Sequence, residues 1–193
     1  MFFEFDFKCL CDFLVGEKEM KKRLLALLFS GVLAVSMLSG CSTEIDKTAI
    51  VATGAEKEIP LRVANFAARL TQAQYDDFYV SYFGEEVWRT DMYGNGVTME
   101  DDVKTNVMSG LYAMYALQNH MADYGVEITE EDVTAIRTAA EAFISANSSK
   151  ALEALGADKE VVETYLTLLT IENRMHDEII KGADTNVSDE EAR

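Results

Sequence analysis

The chain has 193 residues, of which 34 are acidic and 17 are basic, so its formal net charge is −17. Nucleic acids and anionic lipid surfaces are therefore poor partners, because binding them needs clustered lysine and arginine. Pro60 is the single proline in the chain, and this favours a helical fold. No cysteine follows Cys41, so no disulfide is expected in the part of the chain after it.

Residues 20–40 have the pattern of an export signal. A basic start at residues 21–23 precedes an apolar run, which ends in Leu38-Ser39-Gly40 just before Cys41. A run of about 14 apolar and small residues is too short to cross roughly 30 Å of hydrocarbon. The last four residues resemble the lipobox of bacterial lipoproteins, which implies that Cys41 receives a lipid and becomes the mature N-terminus. An ordinary signal peptide with a chance cysteine is the alternative.

The signal divides the rest of the chain into segments. Residues 1–19 precede a complete signal that starts at Met20, so we interpret them as an over-called N-terminal extension. Residues 41–48 are mostly small and polar and predict a lipidated tether, and residues 49–186 predict one helical domain with its own core. Residues 187–193 contain a capping box, Ser188-Asp189-Glu190-Glu191. They predict the start of a following element that has been cut, with a frayed tail as the alternative.

Turn and cap signals predict the secondary structure of this domain. Residues 49–53 have the pattern of a short strand, and residues 58–61 that of a return strand. Helical patterns then follow over residues 62–83, 98–124, 129–144, 150–155 and 159–181. Thr98, Thr129 and Asp158 are the predicted N-caps, and Gly182 is the predicted C′ residue of the last helix. The predicted fold is all-α with four main helices and an optional short N-terminal β element.

Apolar side chains recur at helical spacing and predict a common core. The second long helix contributes Val107, Leu111, Met114 and Tyr124, and Phe143 comes from the third. The last long helix contributes Tyr165, Leu168 and Ile179. We expect Val107, Leu111, Phe143, Tyr165 and Leu168 to lie together.

Aromatic side chains are concentrated at the end of the first helix and in the loop after it: Tyr75, Phe78, Tyr79, Tyr82, Phe83, Trp88 and Tyr93. In one interpretation these rings form the core of this corner. In the other, some of them line an open groove together with Met92, Met99 and Met114, because flexible methionines suit varied apolar partners. Both can hold for different residues, and these ten residues are the candidate binding residues. The loop glycines Gly94 and Gly96 supply the positive φ that a turn needs.

The sequence offers little for catalysis or for metal binding. His120 and His176 are the only histidines, and they lie on different predicted helices. His176 and Asp177 are adjacent, so their side chains diverge by about 100° on a helix and cannot jointly bind a metal. The sequence contains no glycine-rich phosphate loop, serine-nucleophile elbow or zinc motif. We therefore predict no catalytic residue, no metal and no cofactor in this chain.

The order and spacing of several segments resemble a known family. These segments are Ile50-Val51-Ala52, IPLRVANF at residues 59–66, Val103-Lys104, Tyr124-Gly125-Val126, Thr129-Glu130-Glu131, Tyr165-Leu166 and residues 187–191. The chain is similar in them to the helical N-terminal chaperone region of the extracytoplasmic peptidyl-prolyl isomerase foldases of the SurA/PrsA type. Thr53-Gly54-Ala55 stands where family members usually have a Val-Asn-Gly turn.

This resemblance implies a function. In such foldases the helical region is a cradle for clients, which are unfolded polypeptides, and a parvulin domain after it performs the isomerisation. This chain contains no parvulin segment and is expected to end where that domain would begin, so its own enzymatic activity stays open. The resemblance predicts a client-binding chaperone module that assists exported proteins on the outer face of the cytoplasmic membrane, anchored by lipid on Cys41. The alternative is a lipid-anchored scaffold or substrate-binding lipoprotein without chaperone activity; the oligomeric state stays open.

Overall fold

The computed structural model describes residues 46, 49–54 and 57–182. The predicted export signal, the lipidation site at Cys41, nearly all of the tether and residues 183–193 lie outside the described residues. Strand β1 (Ile50–Gly54) pairs antiparallel with strand β2 (Lys57–Pro60), and their register shifts between Ile50 and Ala52. The predicted N-terminal β element is therefore a two-stranded hairpin.

Five helices make up most of the described chain: α1 (Leu61–Tyr75), α2 (Met99–Asn119), α3 (Glu130–Ala146), α4 (Ser149–Leu155) and α5 (Lys159–Lys181). Four are long and one is short, as the sequence predicts, so the mostly helical fold is confirmed. The 3-10 helix Glu85–Arg89 precedes α2, and the 3-10 helix Met121–Tyr124 follows it. Within the described residues, no helix combines the length and the apolar character needed to cross a membrane.

The predicted N-caps are confirmed, whereas the predicted end of the second long helix is wrong. The side chains of Thr98, Thr129 and Asp158 each accept a hydrogen bond from the backbone N–H three residues later. The second long helix ends at Asn119 instead of residue 124, because His120 leaves the helical conformation with ψ 7°. Helix α5 ends at Lys181 as predicted, and Gly182 follows it with φ −84°, a conformation that does not require glycine.

The main core lies where α1, α2, α3 and α5 meet, with α4 at its edge. Leu111, Phe143 and Leu168 are buried in it, and Val107 and Tyr165 pack against it, which confirms the predicted cluster. Burial raises the pKa of Tyr165 to about 12. Phe66 makes edge-to-face contacts in this core: its ring centroid lies 5.9 Å from that of Phe143 and 5.6 Å from that of Tyr165.

Two residues predicted for the apolar stripes lie on the surface instead. Tyr124 is 48% exposed and Ile179 is 41% exposed. Tyr124 follows the end of α2, so it no longer keeps the spacing of that helix. Ile179 lies in the last turn of α5, beyond Met175, which is the last buried residue of the helix.

Ion pairs fix both ends of α5 to its neighbours. Near its start, Arg62 of α1 donates to both carboxylate oxygens of Asp158 at 2.8 Å and contacts Glu160 at 2.9 Å. Near its end, Arg174 donates to Asp132 of α3 at 2.7 Å. Helix α5 is thus held against α1 at one end and against α3 at the other.

Candidate binding surface

The chain changes its helical geometry where α1 ends. A π-helical turn, Asp76–Val80, follows Tyr75 directly, and one last helical turn, Ser81–Phe83, follows it. A π turn contains about one extra residue, so the side chains after it are rotated by about 100° relative to the buried face of the preceding helix. Tyr82 and Phe83 lie after this turn, and both are exposed.

A small second core lies under this turn. Val87 of the 3-10 helix packs with Met99 and Val103 of α2, and all three are buried. Half-buried side chains surround them: Tyr75, Tyr79, Val80, Trp88, Met92 and Val107. We call this second core and its surround the aromatic corner. The indole N–H of Trp88 donates to Asp76 at 2.8 Å, and its ring stacks on Tyr75 at 6.4 Å between centroids.

Four aromatic side chains on the outside of this corner face solvent. Phe78 is 56% exposed, Tyr82 74%, Phe83 58% and Tyr93 71%, and we call these four residues the exposed aromatic patch. The ring centroids of Phe78 and Tyr82 are 5.1 Å apart. Tyr79 of the aromatic corner lies beside this patch: its ring centroid is 5.1 Å from that of Phe78 and 6.3 Å from that of Phe83.

Tyr93 reaches the same region from the loop before α2. Burial raises the pKa of Tyr75 and of Tyr79, and negative charge on Tyr93 raises both further, so its side chain lies within electrostatic range of theirs. The exposed aromatic patch therefore contains residues from two separate segments of the chain.

The Asp91 carboxylate holds the loop that presents Tyr93. It accepts hydrogen bonds from the backbone N–H groups of Gly96 at 2.7 Å, Asn95 at 3.1 Å and Tyr93 at 3.3 Å. These bonds, with that from Gly96 as the largest contribution, lower the pKa of Asp91. Gly94 and Gly96 have φ of 68° and 83°, as the sequence predicts. The role of Asp91 was not predicted from the sequence, although an aspartate three residues before a Gly-Asn-Gly turn is a recognisable signal.

The ten predicted binding residues thus divide into three groups. Four form the exposed aromatic patch, and Tyr75, Tyr79, Trp88 and Met92 are half-buried in the aromatic corner. Met99 is only 6% exposed and Met114 only 7%. Both belong to packed cores, so the expectation that their side chains line an open groove does not fit the structure.

The rest of the described surface offers less chemistry. His120 lies 2.7 Å from Asp123 and His176 lies 3.9 Å from Asp177, and both histidines are exposed. Among the described residues, no group of three or more His, Cys, Asp or Glu side chains is arranged to hold a metal ion. An open depression of about 440 Å³ lies between β1 and α2, lined by Ala52, Met108, Ser109 and Tyr112.

Comparison of the chain with protein-family models, with curated proteins and with solved structures gives no match in any of the three. The likeness to the extracytoplasmic foldases therefore stays a prediction from the sequence.

Proposed function

We propose that this chain is the client-binding chaperone module of a lipid-anchored extracytoplasmic foldase, and that the exposed aromatic patch receives the client. The observation that supports this most directly is the exposure of Phe78, Tyr82, Phe83 and Tyr93, each more than half open to solvent at one corner. Exposure of apolar surface to water is unfavourable in free energy. Contiguous exposed apolar side chains are therefore typical of binding sites.

The form of the surface suits weak and varied binding. The rings lie on an open corner instead of in a deep pocket, so they can cover apolar side chains of different shapes. An isomerase has a harder task, since the uncatalysed barrier of X-Pro rotation is about 18 to 20 kcal/mol and its transition state needs converging polar groups. We therefore expect the protein to slow aggregation of an unfolded client without accelerating X-Pro isomerisation.

The test replaces the patch and measures client protection. We expect the triple variant Phe78→Ser, Tyr82→Ser, Phe83→Ser to lose most of its ability to suppress light scattering by an aggregating client. The three side chains are exposed, so each change should alter stability by less than about 0.5 kcal/mol. Tyr124→Ser is the matched control, because Tyr124 is an exposed tyrosine outside the patch. A folded wild-type protein with no effect on clients would favour the scaffold alternative.

Anchoring through Cys41 needs a separate test, because this residue lies outside the described part of the chain. Stable attachment to a bilayer needs about two acyl chains, which a diacylglyceryl group supplies. We expect Cys41→Ser to release the protein from the membrane fraction or to leave its precursor uncleaved. An unchanged membrane fraction with an unchanged mature mass would contradict lipidation at this residue.

A further inference from the structure

The exposed aromatic patch lies in the middle of a strongly acidic segment. Residues 76–102 contain eight acidic residues and one basic residue, Arg89. Asp77 immediately precedes Phe78, and Glu85 and Glu86 follow Phe83 after one glycine. All three residues are exposed, so the segment that carries the rings also presents carboxylates to solvent.

The other five acidic side chains in this segment form hydrogen bonds or ion pairs within the protein. Asp76 accepts the Trp88 indole N–H, and Asp91 holds the loop at Tyr93. At the start of α2, Glu100 pairs with Lys104, Asp101 accepts from Thr98, and Asp102 accepts from Asn106. These five side chains have structural partners and need no ligand.

Asp77, Glu85 and Glu86 differ from them. Their carboxylates form no hydrogen bond or ion pair with any residue that the structure describes. Asp77 and Glu85 lie close enough to Asp76 to raise the pKa of that residue further, after burial, which is the largest cause. Like charges therefore lie near one another in the segment that carries Phe78, Tyr82 and Phe83, and a cation placed there would relieve their repulsion.

We propose that the exposed aromatic patch selects unfolded segments that carry arginine or lysine among apolar residues. This inference rests on the proposed function and names the class of client. The aromatic faces receive the apolar side chains and, through cation–π contact, the guanidinium or ammonium group. The Asp77, Glu85 and Glu86 carboxylates attract the same charge at the rim, where a segment rich in glutamate would be repelled.

The experiment compares three peptides with identical apolar residues that carry Arg, Gln or Glu at the remaining positions. Binding is followed through the fluorescence of Trp88, the only tryptophan, which stacks on Tyr75 in the aromatic corner. The protein is produced from its full sequence, and the peptides contain no tryptophan. We expect the Arg peptide to bind about tenfold more tightly than the Gln peptide, with the Glu peptide weakest.

Two charge variants separate a local effect from the general negative charge of the protein. Asp77→Asn, Glu85→Gln, Glu86→Gln removes the rim carboxylates, and we expect it to abolish most of the preference for Arg. Asp177→Asn, Glu127→Gln, Glu153→Gln removes one aspartate and two glutamates from exposed positions on other elements and should retain the preference. Equal losses in both variants would assign the preference to net charge and overturn the proposal.

The outcome also separates this inference from the proposed function. If the three peptides bind equally and the triple patch variant Phe78→Ser, Tyr82→Ser, Phe83→Ser still abolishes binding, selection by charge is overturned and client binding stands. If no peptide binds and no client is protected, the proposed function fails together with this inference.

Discussion

The main core and the aromatic corner use the same kind of side chain in opposite ways. In the main core, Phe66 and Phe143 are 1% and 3% exposed, and helices from several parts of the chain enclose them. In the aromatic corner only Val87, Met99 and Val103 are buried, and the rings above them stay half-buried or exposed. Aromatic residues are thus buried only where several helices converge.

The difference follows from how many elements reach each ring. A ring between α1, α3 and α5 has neighbours on all sides, whereas the turn Ser81–Phe83 contacts mainly the π turn, which in turn contacts the 3-10 helix. One side of the corner is left without a neighbour among the described residues. We therefore expect the main core to determine stability, and the proposed binding to depend on the exposed aromatic patch.

The largest expected effect is on the main core. Leu168 is 1% exposed, so Leu168→Ala should lower the free energy of unfolding by about 2 to 5 kcal/mol, as buried leucine truncations do. Denaturant unfolding followed by circular dichroism measures this. The control is Ile180→Ala on the same helix, which should cost less than about 0.5 kcal/mol because Ile180 is 50% exposed. Similar costs at both positions would contradict the assigned face of α5.

A smaller effect is expected at two helix starts that share the pattern Thr-x-x-Asp. At α3, Asp132 accepts from the Thr129 backbone N–H at 2.8 Å, from its hydroxyl at 2.7 Å and from Arg174 at 2.7 Å. At α2, in the aromatic corner, Asp101 accepts only the Thr98 hydroxyl, at 2.9 Å, and lies exposed. We expect Asp132→Ala to cost about 1 to 3 kcal/mol and Asp101→Ala less than about 1 kcal/mol.

The cost at Asp132 should depend on pH. Burial works to raise the pKa of Asp132, but the Thr129 hydrogen bonds and Arg174 outweigh it and hold the pKa below its ordinary value of 3.8. A lowered folded pKa stabilises the protein above the unfolded value, and that contribution is lost as the pH falls through the folded pKa. The difference between wild type and Asp132→Ala should therefore shrink below about pH 3.8 in acid unfolding experiments. A difference that does not change with pH would contradict the ionic part of this contact.

Local signals made much of the main fold predictable. Thr98, Thr129 and Asp158 could be assigned as caps because a cap depends on only a few consecutive residues. The burial of Leu111, Phe143 and Leu168 followed from helical spacing. Spacing also placed Met114 on the buried face of α2, and the alternative of a groove gave too much weight to the flexibility of methionine.

The aromatic corner could be predicted only in part. The density of rings identified the right region, but the helical pattern over residues 62–83 continues without a break through Asp76–Val80, so the π turn has no signal in the spacing. Which rings stay exposed depends on that turn and on the position of the 3-10 helix Glu85–Arg89. Both are set by packing against α2, which lies further along the chain.

The smallest expected effect tests the polar contact beneath the exposed aromatic patch. Burial raises the pKa of Asp76, the Trp88 hydrogen bond opposes that rise, and the charges of Asp77 and Glu85 add to it. A raised folded pKa means that the ionised carboxylate costs stability once the pH exceeds the unfolded value of about 3.8. Asn keeps an oxygen that can accept from the indole, so Asp76→Asn should stabilise the protein at pH 7 by less than about 1 kcal/mol. This gain should disappear as the pH falls towards 4, and thermal unfolding across that range measures it. Asp177→Asn removes one aspartate from an exposed position of α5 and is the matched control for the loss of a charge. A loss of stability at pH 7 would mean that the charged hydrogen bond to Trp88 outweighs the burial of Asp76.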